Sequence, residues 1–228
     1  AFTAVNNDLN PVTAVIRVTP TANGCSGAVM QYSYVVNPAP RLTSNLNPAA
    51  ICSNALFSYV PKSNIADATF KWSRAAVPGI SNPAATGEDS ISENLINTTA
   101  SPGTVQYLLT VDAPDCGTAS AMVSVVVNPI PGLTSTVSPA DICNETVFDY
   151  EPASNVAGTV FAWSRNATGG LRNPAATGTG NPMETLNNIT NDITRAIYSF
   201  TLNAAGCYNT QNVVVVVAPT VKLTSEVV

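Results

Sequence analysis

Apolar and polar residues alternate in short runs along this chain, and the runs come back. Leu56-Phe57-Ser58-Tyr59-Val60 puts Phe57 and Tyr59 on one face, and Val147-Phe148-Asp149-Tyr150-Glu151 does the same with Phe148 and Tyr150. The positions between them drift from Ser to Asp and from Val to Glu, as a wet face tolerates. Period-two alternation of this kind predicts a strand with one buried face. Thr69-Phe70-Lys71-Trp72-Ser73-Arg74 and Val160-Phe161-Ala162-Trp163-Ser164-Arg165 predict a second strand, with Phe70 and Trp72, or Phe161 and Trp163, turned inward. Tyr107, Leu109 and Val111, matched by Tyr198, Phe200 and Leu202, predict a third. A Val-rich run closes each series, from Met122 to Val127 and from Val213 to Val217. Between the last two strands, Asp115-Cys116-Gly117 and Gly206-Cys207-Tyr208 read as hairpin tips. No segment shows sustained helical periodicity.

The recurrence has a fixed period. Cys25, Cys116 and Cys207 are spaced by 91 residues, and so are Cys52 and Cys143, Trp72 and Trp163, and Phe57 and Phe148. Asn82-Pro83-Ala84-Ala85-Thr86-Gly87 returns unchanged as Asn173-Pro174-Ala175-Ala176-Thr177-Gly178. Leu42-Thr43-Ser44 returns as Leu133-Thr134-Ser135 and, one residue early, as Leu223-Thr224-Ser225. A long period carried by cysteines and aromatics together predicts an array of similar domains. The expected organisation is the second half of a repeat over 1–40, complete repeats over 41–131 and 132–221, and the start of another over 222–228. Proline marks the joints: Asn37-Pro38-Ala39-Pro40, Asn128-Pro129-Ile130-Pro131, and Ala218-Pro219-Thr220-Val221, which keeps a single proline. Short proline-bearing joints restrict φ and reach, so the expected array is a rod.

Composition agrees with strands and turns. Charged residues are 10% of the 228 residues, and Val, Thr, Asn, Ser, Ala and Pro dominate. The net charge of −5 argues against nucleic acid or an anionic membrane surface as partner. No apolar run approaches the roughly 20 residues that cross a bilayer, so no membrane insertion is expected in this stretch.

The cysteines point to compartment and framework. Cys52 and Cys116 are 64 residues apart, as are Cys143 and Cys207. The expected bridges are therefore Cys52–Cys116 and Cys143–Cys207, one per repeat, with Cys25 unpaired because its counterpart would precede residue 1. There are no close cysteine pairs and no histidine, so no zinc site, His triad or His base is available. Disulfides imply an oxidising, extracytoplasmic location. Short strands, a Trp on a core face and a long-range bridge together predict an all-β chain of tandem immunoglobulin-like sandwiches.

Taken together, Ala50-Ile51-Cys52-Ser53, Phe57-x-Tyr59, Phe70-x-Trp72-Ser73-Arg74, Asn82 to Gly87, Ala205-Gly206-Cys207 and a Val-rich strand ending before proline resemble PKD-like (polycystic-kidney-disease-type) repeats. These are Ig-like domains of very long secreted proteins common in Bacteroidetes. The resemblance implies a tandem stalk in a cell-surface or secreted protein, often an adhesin.

Other chemistry finds little footing. Glu88, Asp89 and Glu93 are close in sequence, and Asp112 and Asp115 lie at the Cys116 hairpin, so calcium or a carboxylate pair is a candidate reading. One period later only Glu93 has an acidic counterpart, Glu184, and variation between sister repeats is the behaviour of solvated loops. Lys71, Arg74 and Arg165 read as surface charges. Asn97-Thr98-Thr99, Asn144-Glu145-Thr146, Asn166-Ala167-Thr168 and Asn188-Ile189-Thr190 have the form of N-glycosylation acceptors, as chance provides in so Asn- and Thr-rich a chain. The expectation is a non-enzymatic stalk segment without cofactor or metal, whose partners are neighbouring repeats. The alternatives are a filament subunit meeting other copies and a module binding a surface glycan or protein.

Overall fold

The structure, a computed structural model, describes residues 3–6, 8, 10–114 and 116–221; the third Leu-Thr-Ser and Asp115 lie outside these. Every regular element is a strand. The first four form hairpins: β1 (Val12–Val18) pairs antiparallel with β4 (Met30–Val36), and β2 (Thr21–Ala22) with β3 (Cys25–Ser26).

Seven strands follow: β5 (Ile51–Cys52), β6 (Leu56–Tyr59), β7 (Thr69–Arg74), β8 (Ala85–Glu88), β9 (Ile91–Asn94), β10 (Gly103–Ala113) and β11 (Gly117–Asn128). They make a five-stranded sheet in the order β5-β11-β10-β7-β8 and a two-stranded sheet of β6 and β9. The next seven repeat that plan. They are β12 (Ile142–Cys143), β13 (Thr146–Asp149), β14 (Val160–Arg165), β15 (Ala176–Thr179), β16 (Met183–Leu186), β17 (Thr194–Ala204) and β18 (Cys207–Ala218). Their sheets run β12-β18-β17-β14-β15 and β13-β16, with β12 parallel to β18. This is an Ig-like sandwich topology.

The alternation read from the sequence is the burial pattern. Tyr198, Phe200 and Leu202 of β17 and Val213, Val215 and Val217 of β18 are fully buried, while the residues between them are at least partly exposed. They form one cluster with Phe148, Tyr150 and Leu186, against which Phe161 and Trp163 pack half-buried. In the earlier copy Phe57, Tyr59, Tyr107, Leu109 and Val125 are buried, and Phe70 and Trp72 are again half-buried.

The chain divides into two compact units. One comprises Ala1–Ile51, Ala55–Leu95 and Thr104–Val126; the other comprises Cys52–Asn54, Ile96–Gly103 and Val127–Val228. Cys52 thus packs with the second unit although by sequence it belongs to the earlier copy.

The β1/β4 hairpin keeps the register of β17/β18: Val12 faces Val36 as Thr194 faces Val217, and Val18 faces Met30 as Phe200 faces Gln211. Its apolar face is open. Tyr32 is 43% and Tyr34 55% exposed, whereas Val213 and Val215 at the same register are fully buried. The residue missing from the last copy is missing at the hairpin tip. Two residues, Ala205 and Gly206, join β17 to β18, both at positive φ as a type I′ turn requires, against the three of 114–116 between β10 and β11.

Candidate functional site

Arg74 ends β7 and should by type be solvated, yet it is 2% exposed, and Arg165 in β14 is 1% exposed. The surface placement expected for both is overturned, and the reason is a partner on the facing strand of the small sheet. Arg74 donates from Nε to Oε2 of Glu93 (2.9 Å) and from Nη2 to Oε1 (2.8 Å). Arg165 makes the same fork to Glu184 at 2.9 and 2.8 Å. The same Oε2 also accepts the hydroxyl of Tyr107 (2.6 Å) or Tyr198 (2.7 Å). Each guanidinium also donates to a backbone carbonyl, of Pro83 or Pro174, at 2.8 Å. A buried charge is tolerated when it is paired and hydrogen-bonded, and the carboxylate fork with the proline carbonyl supplies both.

Electrostatics follow from that geometry. Hydrogen bonding from the guanidinium holds the Glu93 and Glu184 carboxyls below the usual range, against the opposing effect of burial. Burial first, and the neighbouring carboxylate second, push the Tyr107 and Tyr198 phenols up, so both stay protonated. These groups are locked as donors and acceptors to each other. Only Lys71 of the expected surface cations stays outside, 3.8 Å from Glu88 with both side chains exposed.

The repeated Asn-Pro-Ala-Ala-Thr-Gly segment builds the rest of this lock. Asn82 and Asn173 donate to the carbonyls of Asn94 and Thr185 (2.9 and 2.8 Å), fixing the loop whose proline carbonyl the arginine needs. At the other end Gly87 and Gly178 lie flat under the indoles of Trp72 and Trp163. A Cβ there would approach ring atoms to 2.5 and 2.6 Å. Each indole meets Tyr107 or Tyr198 edge-on, with centroids 5.7 and 5.6 Å apart. Leu-Thr-Ser is accounted for in the same way: Ser44 and Ser135 hydrogen-bond the hydroxyls of Tyr59 and Tyr150 at 2.7 and 2.6 Å.

A second lock recurs three times, at Asn6, Asn97 and Asn188, all buried and spaced by the period. Asn97 Nδ2 donates to the carbonyls of Ser101 and Val127, both at 2.8 Å, while its Oδ1 accepts from the amide and hydroxyl of Thr99. Asn188 does the same with Asp192, Val217 and Thr190. Asn6 reaches Asn10 and Val36. The Asn-x-Thr triplets at 97 and 188 are therefore internal clamps on the end of the last strand, with no amide free for a sugar.

The cysteines depart from the expected pairing. Cys52 is bonded to Cys207, with Cα atoms 5.6 Å apart and 155 residues between them, and Cys25, Cys116 and Cys143 are free thiols. Neither Cys52–Cys116 nor Cys143–Cys207 forms. Cys143 lies beside Ala218, the last residue of β18, and Cys207 is its first. Eleven residues of strand separate the two ends by roughly 35 Å, far beyond what a disulfide spans.

The acidic groups scatter. Glu93 turns inward, Glu88 and Asp89 are exposed, Asp112 faces outward from β10, and Asp115 lies outside the described residues. No group of three or more metal-binding side chains assembles among the described residues. No helix among them is long and apolar enough to cross a membrane. One open groove on the first unit, about 490 Å³, is lined by Ser73, Val77, Thr104, Gln106, Leu108 and Met122, with no ionisable side chain.

Residues 49–131 match the family of PKD-like domains. No curated protein sequence matches the chain. Among solved structures, the titin domains I67–I69 align with 92% of this chain and 88% of their own, at 11% identity and a TM-score of 0.43. The insect immune protein hemolin aligns with 90% of this chain and 56% of its own, at 9% identity and 0.42. The first two Ig domains of DIP-gamma align with 79% and 98%, at 11% identity and 0.38.

Proposed function

We propose that this chain, whose residues 49–131 form a domain of the PKD-like family, is a non-enzymatic structural segment of a large extracellular surface protein. One observation carries this reading. Five polar side chains that recur at the period, Arg74, Glu93, Tyr107, Asn97 and Ser44 with their counterparts, are committed to internal locks. The exposed acidic groups do not recur: Glu88 and Asp89 give way to Thr179 and Gly180. Selection for the repeat body, with surfaces free to drift, suits a part whose job is to hold its shape and project something else. On this reading the repeats run 41–131 and 132–221, and the disulfide fits an oxidising exterior.

A second reading, a filament subunit, draws on the open face of the β1/β4 hairpin, where Tyr32 and Tyr34 stand at core positions without a covering layer. Intact mass and electron microscopy of the native material separate the two. A single very long chain in a thin tether is expected. Short chains in ordered fibres would replace the stalk with the filament.

A further inference from the structure

We propose that Cys143 is one half of a covalent staple between successive copies of the repeat, and that its partner is the hairpin-tip cysteine of a further copy. The formed staple shows the rule. Cys52 ends β5 of the earlier copy, Cys207 sits at the tip of the following copy, and the two are bonded across 155 residues. That separation is the 64-residue spacing within a copy plus one period of 91. Cys143 stands at the Cys52 position, while Cys25 and Cys116 stand at the Cys207 position. Each copy therefore carries one strand-end thiol that reaches forward and one tip thiol that reaches back.

The surroundings of Cys143 share one feature with those of the closed staple: the residue after the thiol is hydrogen-bonded to the end of the last strand or the segment just beyond it. Beside Cys52, the Ser53 amide donates to the Asn128 carbonyl at 2.8 Å, and Asn128 Nδ2 donates to the Ala205 carbonyl at the tip, 3.4 Å away. Beside Cys143, Asn144 Nδ2 donates to the hydroxyl of Thr220 at 2.8 Å, tying the segment after β18 to the residue after the thiol. Cys143 is exposed and has no bridge inside its own copy, because Cys207 is at the far end of β18 and already bonded.

The bond forms by thiol–disulfide exchange with a small disulfide such as oxidised glutathione. The Cys143 thiolate attacks one sulfur, making a mixed disulfide and releasing one glutathione thiolate. The tip thiolate then attacks the Cys143 sulfur and releases the second. Two protein thiols are oxidised and one glutathione disulfide is reduced to two thiols. The tip cysteine can come from a repeat added to the same polypeptide or from a second chain presenting Cys116 or Cys25. The staple holds for a stalk and for a filament alike, so it stands apart from the proposed function.

The test compares the chain itself with the same chain lengthened after residue 221 by one more copy of residues 132–221, both reoxidised in glutathione buffer and mapped by non-reducing peptide mass spectrometry. In the lengthened chain the expected result is a link from Cys143 to the added tip cysteine, with Cys52–Cys207 retained and Cys143 alkylation lost. Reducible multimers of the original chain that link Cys143 to Cys116 or Cys25, and vanish in Cys143→Ser, would support the staple with a second copy as the source. A Cys143–Cys207 link in either protein, or Cys143 fully alkylated in both, overturns the proposal.

Discussion

Arg165 and Glu184 form a two-pronged ion pair in which the guanidinium side chain is wholly buried and the carboxylate side chain 17% exposed, and the Tyr198 hydroxyl donates to the Oε2 that also accepts from Arg165 Nε. Arg74, Glu93 and Tyr107 reproduce it one period earlier. Each pair ties the large sheet, which carries the arginine and tyrosine, to the small sheet, which carries the glutamate. The fork also fixes the loop of Pro174 through its carbonyl, just before β15 begins.

Breaking the pair from one side is expected to be costly. In Glu184→Gln the buried guanidinium keeps its shape-matched neighbour and loses its charge partner, a change of about 3–5 kcal/mol for a buried pair. At roughly 4–8 °C per kcal/mol for a small domain, the melting transition assigned to the second unit falls by more than 10 °C. Lys71→Ala, which removes only the exposed 3.8 Å pair with Glu88, is expected to change little. A Glu184→Gln protein that melts like Lys71→Ala would remove the lock from the account of stability.

The same triads predict how stability varies with pH. Glu93 and Glu184 have folded values below their reference of 4.5, so between the two values the unfolded chain binds more protons and stability rises with pH. That contribution is complete above about pH 5 and disappears as acid titrates the folded carboxylates. Tyr107 and Tyr198 act oppositely. Their folded values lie above the reference of 10.0, so their contribution holds below that pH and fades as alkali ionises the unfolded phenols. Melting temperatures measured from pH 2 to 11 should show a plateau with both limbs falling. A flat acid limb would contradict the assignment.

The alternation at Phe57 and Tyr59, or at Tyr198 and Phe200, was legible because a strand's two faces are written at period two. The charges were not. Arg74 reads as a solvated residue because arginine is so seldom buried, and burial depends on a glutamate 19 residues away on another sheet. A signal existed: Glu93 and Glu184 are the one acidic pair kept at the period, and Arg74 and Arg165 are kept with them. The triplets at Asn97 and Asn188 looked like sugar acceptors, although Asn6 at the same spacing has no Thr two residues on, which favours a role for the asparagine itself. The disulfide pairing was hidden because linear spacing does not reveal that Cys143 and Cys207 sit at opposite ends of one strand.

The buried asparagine can be tested directly. Asn188→Ala leaves the carbonyls of Val217 and Asp192 and the amide of Thr190 without their partner. Stranding buried groups of this kind costs about 1–3 kcal/mol each before water rescues any of them. The end of β18 should open, so hydrogen exchange at Val215 and Val217 is expected to accelerate well before the global transition. Unchanged exchange there would mean that the clamp is incidental.

Gly178→Ala tests the indole platform. The added methyl carbon falls 2.6 Å from the Trp163 ring, and β15 is held to β14 by the Trp163–Gly178 pairing itself, so neither side can retreat easily. Overpacking of this order costs about 1–3 kcal/mol. Because the indole must tilt, Trp163 fluorescence should shift along with the melting temperature. Gly87→Ala is expected to do the same at Trp72, where the approach is 2.5 Å. Alanine variants that retain both the spectrum and the stability would show that the strand edge yields more readily than its pairing implies.

Reduction supplies the last test. Closing 155 residues with the Cys52–Cys207 bond removes about 5 kcal/mol of chain entropy from the unfolded state in the simplest model, an upper figure because unfolded chains retain some structure. Cys52 packs as part of the second unit, so that unit's transition should fall on reduction. The first unit's transition, which lacks a bridge of its own, should hold. Cys52→Ser is expected to match the reduced protein, and Cys116→Ser to leave both transitions in place, because Cys116 carries a free thiol. If Cys116→Ser destabilised the chain as much as Cys52→Ser, the bridge would lie within a single copy and the staggered pairing would be wrong.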